Sequence, residues 1–212
     1  MTSTAINAQG STLNISTGSG AAVNITGLQP GFPTIVEATA HGQTNGGVVT
    51  FAALTGNTTL NGQTCVVKNV TANTFAVDVD TTGGAAWVSG GTATPVTWTK
   101  IKNLISFKGF DGQAAELDAT DLDSTAKEFL IGLQDWGNLQ IDMNRDYSDP
   151  GQQALDASKR AASKQIYKLT LPNSKTRTFN AYCKSSPLEG GVDKLVQATS
   201  VTLRITGDVT DS

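Results

Sequence analysis

The chain has little of what catalysis is usually built from. It carries one histidine, two cysteines and only 16% charged residues in 212, against about 25% charge in a typical soluble domain. The histidine, His41, stands in Ala40-His41-Gly42 with no local nucleophile or orienting partner, so it is expected in a turn or at the surface rather than as a catalytic base. Cys65 and Cys183 are far apart and form no C-x-x-C pair; two buried thiols are expected rather than a disulfide. A P-loop, a dinucleotide fingerprint, a G-x-S-x-G elbow and metal-ligand spacing are all missing. No enzyme activity, cofactor or metal is therefore expected. Lys and Arg total 15 against 18 Asp and Glu, a net charge of −3, so tight phosphate binding is not expected either. No run of about 18 apolar residues occurs, which excludes a membrane-spanning helix. The first twenty residues lack the basic start and apolar run of an export signal, and a cytoplasmic site of synthesis is expected.

What the chain does have is Thr, Ser, Asn and Gly, residues that suit strands and tight turns. Charge divides it. Up to Trp98 the only charged side chains are Glu37, Lys68, Asp78 and Asp80, whereas from Lys100 charges are frequent; two units with different surfaces are expected. The first half reads as short strands at residues 12–16, 34–38, 48–52, 64–70 and 74–79, with Asn45-Gly46 and Asn61-Gly62 as turns, because both residue types accept positive φ. Such spacing predicts a small β barrel or sandwich.

The second half reads as longer strands. An extended stretch is expected over residues 96–110, then a polar acidic connection to about residue 124. Residues 138–144 alternate, with Leu139, Ile141 and Met143 on one face and Gln140, Asp142 and Asn144 on the other. Ser148-Asp149-Pro150-Gly151 announces a helix over about 150–163: Asp149 is the candidate N-cap, Pro150 fits the first helical position, and Lys159, Arg160 and Lys164 suit its C-terminal pole. Residues 165–171 and 176–184 predict a hairpin, and a last strand over 200–209 points Val201, Leu203 and Ile205 inward.

The acidic stretch holds Asp111, Glu116, Asp118, Asp121, Asp123 and Glu128. Asp121 and Asp123 begin a calcium-loop pattern, but Thr125 and Ala126 occupy positions that need a ligand and a glycine. A solvated or subunit-contacting loop is the expectation. Four Asn-x-Ser/Thr matches arise by chance in so Asn- and Thr-rich a chain. Trp87, Trp98 and Trp136 are expected in cores or interfaces rather than on a sugar platform. Connections longer than about 12 residues usually carry function or bind a partner, and an open sheet has borders that can pair with a neighbouring copy.

From Trp98 onward the chain resembles the tail tube proteins of long-tailed bacteriophages. The resemblance rests on an ordered series: Phe107-Lys108-Gly109-Phe110-Asp111-Gly112; Leu117-Asp118-Ala119-Thr120-Asp121-Leu122-Asp123-Ser124; Gly132-Leu133-Gln134-Asp135-Trp136-Gly137; Asp149-Pro150-Gly151-Gln152-Gln153-Ala154-Leu155; Leu169-Thr170-Leu171-Pro172; Thr178-Phe179-Asn180-Ala181-Tyr182; and the closing Ser200-Val201-Thr202-Leu203-Arg204-Ile205-Thr206-Gly207. It implies a mainly β tube core with one helix, assembling into hexameric rings that stack in the virion tail and conduct DNA without tight binding. The implied partners are other copies and other tail proteins (tape measure, terminator and distal tail), with no membrane. Inner strands would join into a barrel of roughly 24 strands, whose lumen of ~38 Å admits a duplex of about 20 Å. The acidic stretch is then the candidate inter-ring or inter-subunit loop. Gln140, Asp142 and Asn144 are the candidate lumen face, and the lumen is expected to be acidic or neutral, since a basic one would hold DNA.

Residues from about Pro33 to Gly91 resemble a small β module found inserted in phage structural proteins and also in ubiquitin-activating enzymes, where it is not catalytic. Its marks are Ala40-His41-Gly42, Leu60-Asn61-Gly62, Val67-Lys68-Asn69-Val70-Thr71, Asn73-Thr74-Phe75 and Ser89-Gly90-Gly91-Thr92; Asn57 departs from it, standing where a Met is expected. The resulting division is a tube core of residues 1–27 and 94–212 with an outward-facing insert at 28–93, either a rigid decoration or a weak glycan binder. The alternatives are the tube of a contractile injection system and a carbohydrate-binding adhesin.

Overall fold

The computed structural model describes residues 5–212. The protein is mainly β with a single helix. Along the chain run β1 (Thr12–Ser19), β2 (Val23–Asn24), β3 (Gly27–Gln29), β4 (Thr34–Glu37), β5 (Val48–Ala52), β6 (Thr64–Lys68), β7 (Thr74–Val77) and β8 (Thr92–Ile101). Then follow β9 (Leu104–Gly109), β10 (Glu116–Asp118), β11 (Phe129–Ile131), β12 (Asn138–Asn144), α1 (Pro150–Arg160), β13 (Gln165–Thr170), β14 (Thr176–Ser185), β15 (Glu189–Gly191) and β16 (Lys194–Asp211).

The chain forms two compact units. One is essentially residues 16–99, with residues 174–176 and 210–212. Its strands lie in the order β3-β4-β7-β6-β5-β8, with β2 also on β8. Phe51 and Phe75 stack at 6.3 Å between ring centroids and are fully buried, with Val36, Val49, Leu60 and Val67 around them. The turn dipeptides act as their chemistry requires. Gly46 and Gly62 have φ of 75° and 78°, and Asn61 caps the turn by accepting from the Leu54 N–H (2.9 Å) and donating to the Leu54 carbonyl (3.0 Å). His41 corrects the sequence reading. It is 5% exposed, edge-on to Phe75 at 5.1 Å. Its Nδ1 accepts from the Gln43 N–H (3.0 Å), which leaves Nε2 to donate to the Thr74 carbonyl (3.3 Å). A small loop-rich core recruits the imidazole as a wall, a role that local sequence around a His-Gly pair does not display. Asn57 is buried but satisfied, donating to the Thr81 carbonyl (3.1 Å) and accepting from the Thr59 N–H (3.3 Å).

Among the described residues the other unit comprises 5–15, 100–173 and 177–209. Its strands run β1-β13-β14-β16-β12-β9. Leu13, Ile15, Tyr167, Leu169, Phe179, Ala181, Val201, Leu203, Leu139 and Ile141 come from alternate positions and meet in one core with Leu155 of α1. The inward set predicted on the last strand, Val201, Leu203 and Ile205, is buried. Asp149 caps α1, its carboxylate accepting from the Gln152 N–H at 2.9 Å. The helix stops at Arg160, three residues short of expectation, because Ala162 turns left-handed (φ 47°) and the Ser163 N–H reaches back to the Ser158 carbonyl (3.0 Å). The expected continuous stretch over residues 96–110 is instead two strands, broken where Asn103 adopts φ 59°. That break is fastened by Gln152, which is fully buried. Its amide donates to the carbonyls of Lys102 (3.1 Å) and Asn144 (3.0 Å) and accepts from the Asp146 N–H (3.0 Å). Cys65 and Cys183 are free thiols, each pushed up to about 11 chiefly by burial, and so are poor nucleophiles at neutral pH.

Candidate assembly surfaces

Between β9 and β12 the chain leaves the sheet as an arm, residues 111–137. Its base is cinched. The Asp111 carboxylate accepts from the Asn138 N–H (3.1 Å), and Phe110 donates its own N–H to the Asn138 carbonyl (2.9 Å). Gly112 passes so close that a Cβ there would lie 2.1 Å from the Asp135 carbonyl oxygen. Asp135 is tied in turn to the Gly137 N–H (2.8 Å) and to Arg204 (2.6 Å), which hold its carboxyl below the usual range.

Beyond this base the connection expected to be irregular contains a hairpin. β10 and β11 pair antiparallel, with Glu116 opposite Ile131, Leu117 opposite Leu130 and Asp118 opposite Phe129. The reason it was not legible is length: three residues per strand give no periodicity to read. The tip is organised by polar side chains. Asp118 accepts from Lys127 Nζ (2.8 Å) and the Thr120 N–H (2.9 Å), and its carboxyl falls to about 2, with the Lys127 bond the largest cause. Thr120 Oγ1 accepts from the Glu128 N–H (3.1 Å), and Asp121 accepts from the Asp123 N–H (2.9 Å) and from Ser124 Oγ (3.1 Å).

The six acidic residues singled out from sequence therefore divide. Asp111 sits at the arm's base, Glu116 and Asp118 on β10, Asp121 and Asp123 at the tip, and Glu128 just before β11. They do not converge. Among the described residues no group of three or more His, Cys, Asp or Glu is placed to hold a metal ion.

The sequence reading missed the arm's apolar character. Leu117, Leu122, Phe129, Leu130, Ile131 and Leu133 are all exposed, from 54% upward. Isolated two-stranded hairpins are marginal in water, and a concentration of large bare apolar side chains marks a contact surface. The signal in the sequence is the apolar run Phe129-Leu130-Ile131 beside the carboxylates.

A second feature lies at the sheet's border. Among the described residues β9 pairs with β12 alone, so one side of β9 is open. A cleft of about 590 Å³ runs beside it, walled by Ala8–Ser11 on one side and Leu104–Phe107 on the other. Open strand borders of this kind accept an added strand.

The face bearing Gln140, Asp142 and Asn144 is partly exposed along all of β12. Asp142 accepts from Ser106 Oγ (2.6 Å) and the Ser200 N–H (2.6 Å), which lower its carboxyl, and Asn144 accepts from Gln197 (2.9 Å). Lys108 stands opposite Gln140, Arg204 opposite Asn138, and Lys168 opposite Asn14; Lys184 is exposed on β14. Asp142 lies on this face of β12, and Asp135 reaches Arg204 from the arm. Strands distant in sequence thus place cations beside β12 that β12 read alone does not contain.

Trp87 packs partly buried against one core and donates to the Gly90 carbonyl (3.1 Å), and Trp136 packs against the other.

Set beside known proteins, residues 29–97 match the family model of the ubiquitin-activating enzyme E1 FCCH domain. No curated protein matches the chain. The family match spans less than half of the 212 residues, and the chain is thus similar to that domain across its first unit, with the arm, β9 and α1 outside the similarity.

Proposed function

We propose that the chain is a structural subunit of a bacteriophage tail tube, one that works by joining copies of itself rather than by chemistry on a substrate. The observation that carries this reading is the arm: a hairpin tied at its base by hydrogen bonds, whose six large apolar side chains are each more than half exposed. The open side of β9 supports it, since sheets that continue from copy to copy need an unpaired border. The ordered series of motifs from residue 107 to residue 207 supplies the tube class and, with it, hexameric rings, stacking in the virion tail and passage of DNA. The module of residues 29–97 would then be a decoration on the tube.

Negative-stain microscopy of the full chain, at concentrations from micromolar to near-millimolar, tests the reading. Rings or tubes with a central channel are expected. A monodisperse single copy throughout contradicts it.

A further inference from the structure

Beside α1 lies a recess of about 200 Å³, lined by Arg145, Tyr147, Asp156, Lys159, Ser186 and Leu188 among others. The Arg145 side chain is 7% exposed. Its Nη2 donates to the Asp156 carboxylate, and its guanidinium carbon lies 4.9 Å from the centroid of the Tyr147 ring. Its Nη1 is buried with no hydrogen-bond partner. A guanidinium donor left unmatched out of water is costly, and a carboxylate is the acceptor that matches its planar geometry. Lys159, exposed in the last turn of α1, adds a second cation. With Asp156 as its one acidic lining residue, the recess holds surplus positive charge.

We propose that this recess receives the carboxylate of Asp123 from the arm of a second copy; this rests on the tube reading and names a contact within it. Asp123 is the acid at the tip that fits. Asp118 is engaged by Lys127 and Thr120, and Asp121 by Ser124 and the Asp123 N–H. The Asp123 carboxylate has no hydrogen-bond partner among the described residues, and its neighbour Leu122 is fully exposed. The recess has matching apolar ground, since Leu188 is 59% and Tyr147 64% exposed. An Asp-Leu pair thus meets a cation flanked by apolar surface, which pairs charge with charge and apolar with apolar. A single carboxylate and its methylene fit the volume.

The test uses the full chain in four forms: wild type, Lys159→Glu, Asp123→Lys, and both together. Sedimentation velocity reads assembly, and thermal melting confirms folding. Each single change is expected to raise the concentration needed for assembly by about tenfold or more, with melting unchanged because both side chains are exposed. The double change is expected to restore assembly to within about threefold of wild type. Single variants that assemble as wild type does would overturn the contact while leaving the tube reading standing. A double variant as defective as the singles would overturn the choice of Asp123. If inorganic phosphate raised the melting temperature of wild type but not of Lys159→Glu, and the double variant gained nothing, the recess would be a small-anion site instead. A wild type that never assembles would sink both this contact and the tube reading.

Discussion

The unit of residues 16–99 and the arm of residues 111–137 are both built from short antiparallel strands, yet they finish differently. In the first, Phe51, Phe75, Val67 and Leu60 are wholly covered by strands of the same unit. In the second, Leu117 and Leu130 pair across the hairpin, and neither they nor Phe129 and Ile131 find a second layer. Strand pairing satisfies backbone donors and acceptors, but burial needs something packed on the face. The module's core is covered by its own chain, whereas the arm's apolar side chains stay exposed and, on the proposed tube reading, would be covered by another copy.

The widest separation between the two regions comes from breaking the arm's apolar surface. Replacing Leu130 by Asp and Ile131 by Lys together should abolish assembly in sedimentation velocity while shifting stability by no more than about 0.5 kcal/mol, as for surface changes generally. A matching loss of melting temperature would mean that the arm is packed within its own chain after all. The converse change is Phe75→Ala, expected to cost the module about 3–5 kcal/mol, read as a lowered thermal transition and a shifted His41 imidazole resonance; an unmoved resonance would refute the ring contact. Gln152→Ala should cost about 2–4 kcal/mol, because it removes three hydrogen bonds made by a fully buried amide. It should act on the unit around α1, and hydrogen exchange near Lys102 and Asn144 should rise first. The smallest effect belongs to pH. The Asp118 carboxyl is lowered to about 2 in the folded arm, so its stabilisation is present above about pH 4 and is lost as pH falls towards 2. Amide shifts of Thr120 and Glu128 should move over that window and stay fixed across it in Asp118→Asn.

Much of this frame was legible in the amino-acid order, and the failures have a common cause. Strands β5 and β12, the Asp149 cap and the inward set of β16 follow from local period and local chemistry. The turn at Asn103, the burial of His41 and the hairpin inside the acidic stretch do not. Each depends on a partner far along the chain: Gln152 for the turn, Phe75 for the imidazole, and Leu130 for Leu117. The cations beside β12 were hidden similarly, since Lys108 and Arg204 arrive from other strands. The acidic residues were found, but the apolar ones between them, which carry the exposed surface, were read as part of a polar loop.

The most direct test of the account is amide hydrogen exchange over residues 104–133, followed as concentration rises. If a neighbouring copy completes the arm and the open side of β9, these amides exchange fast in dilute solution and become protected as assembly sets in, with the module's amides unchanged. Exchange that stays equally fast at every concentration would contradict it.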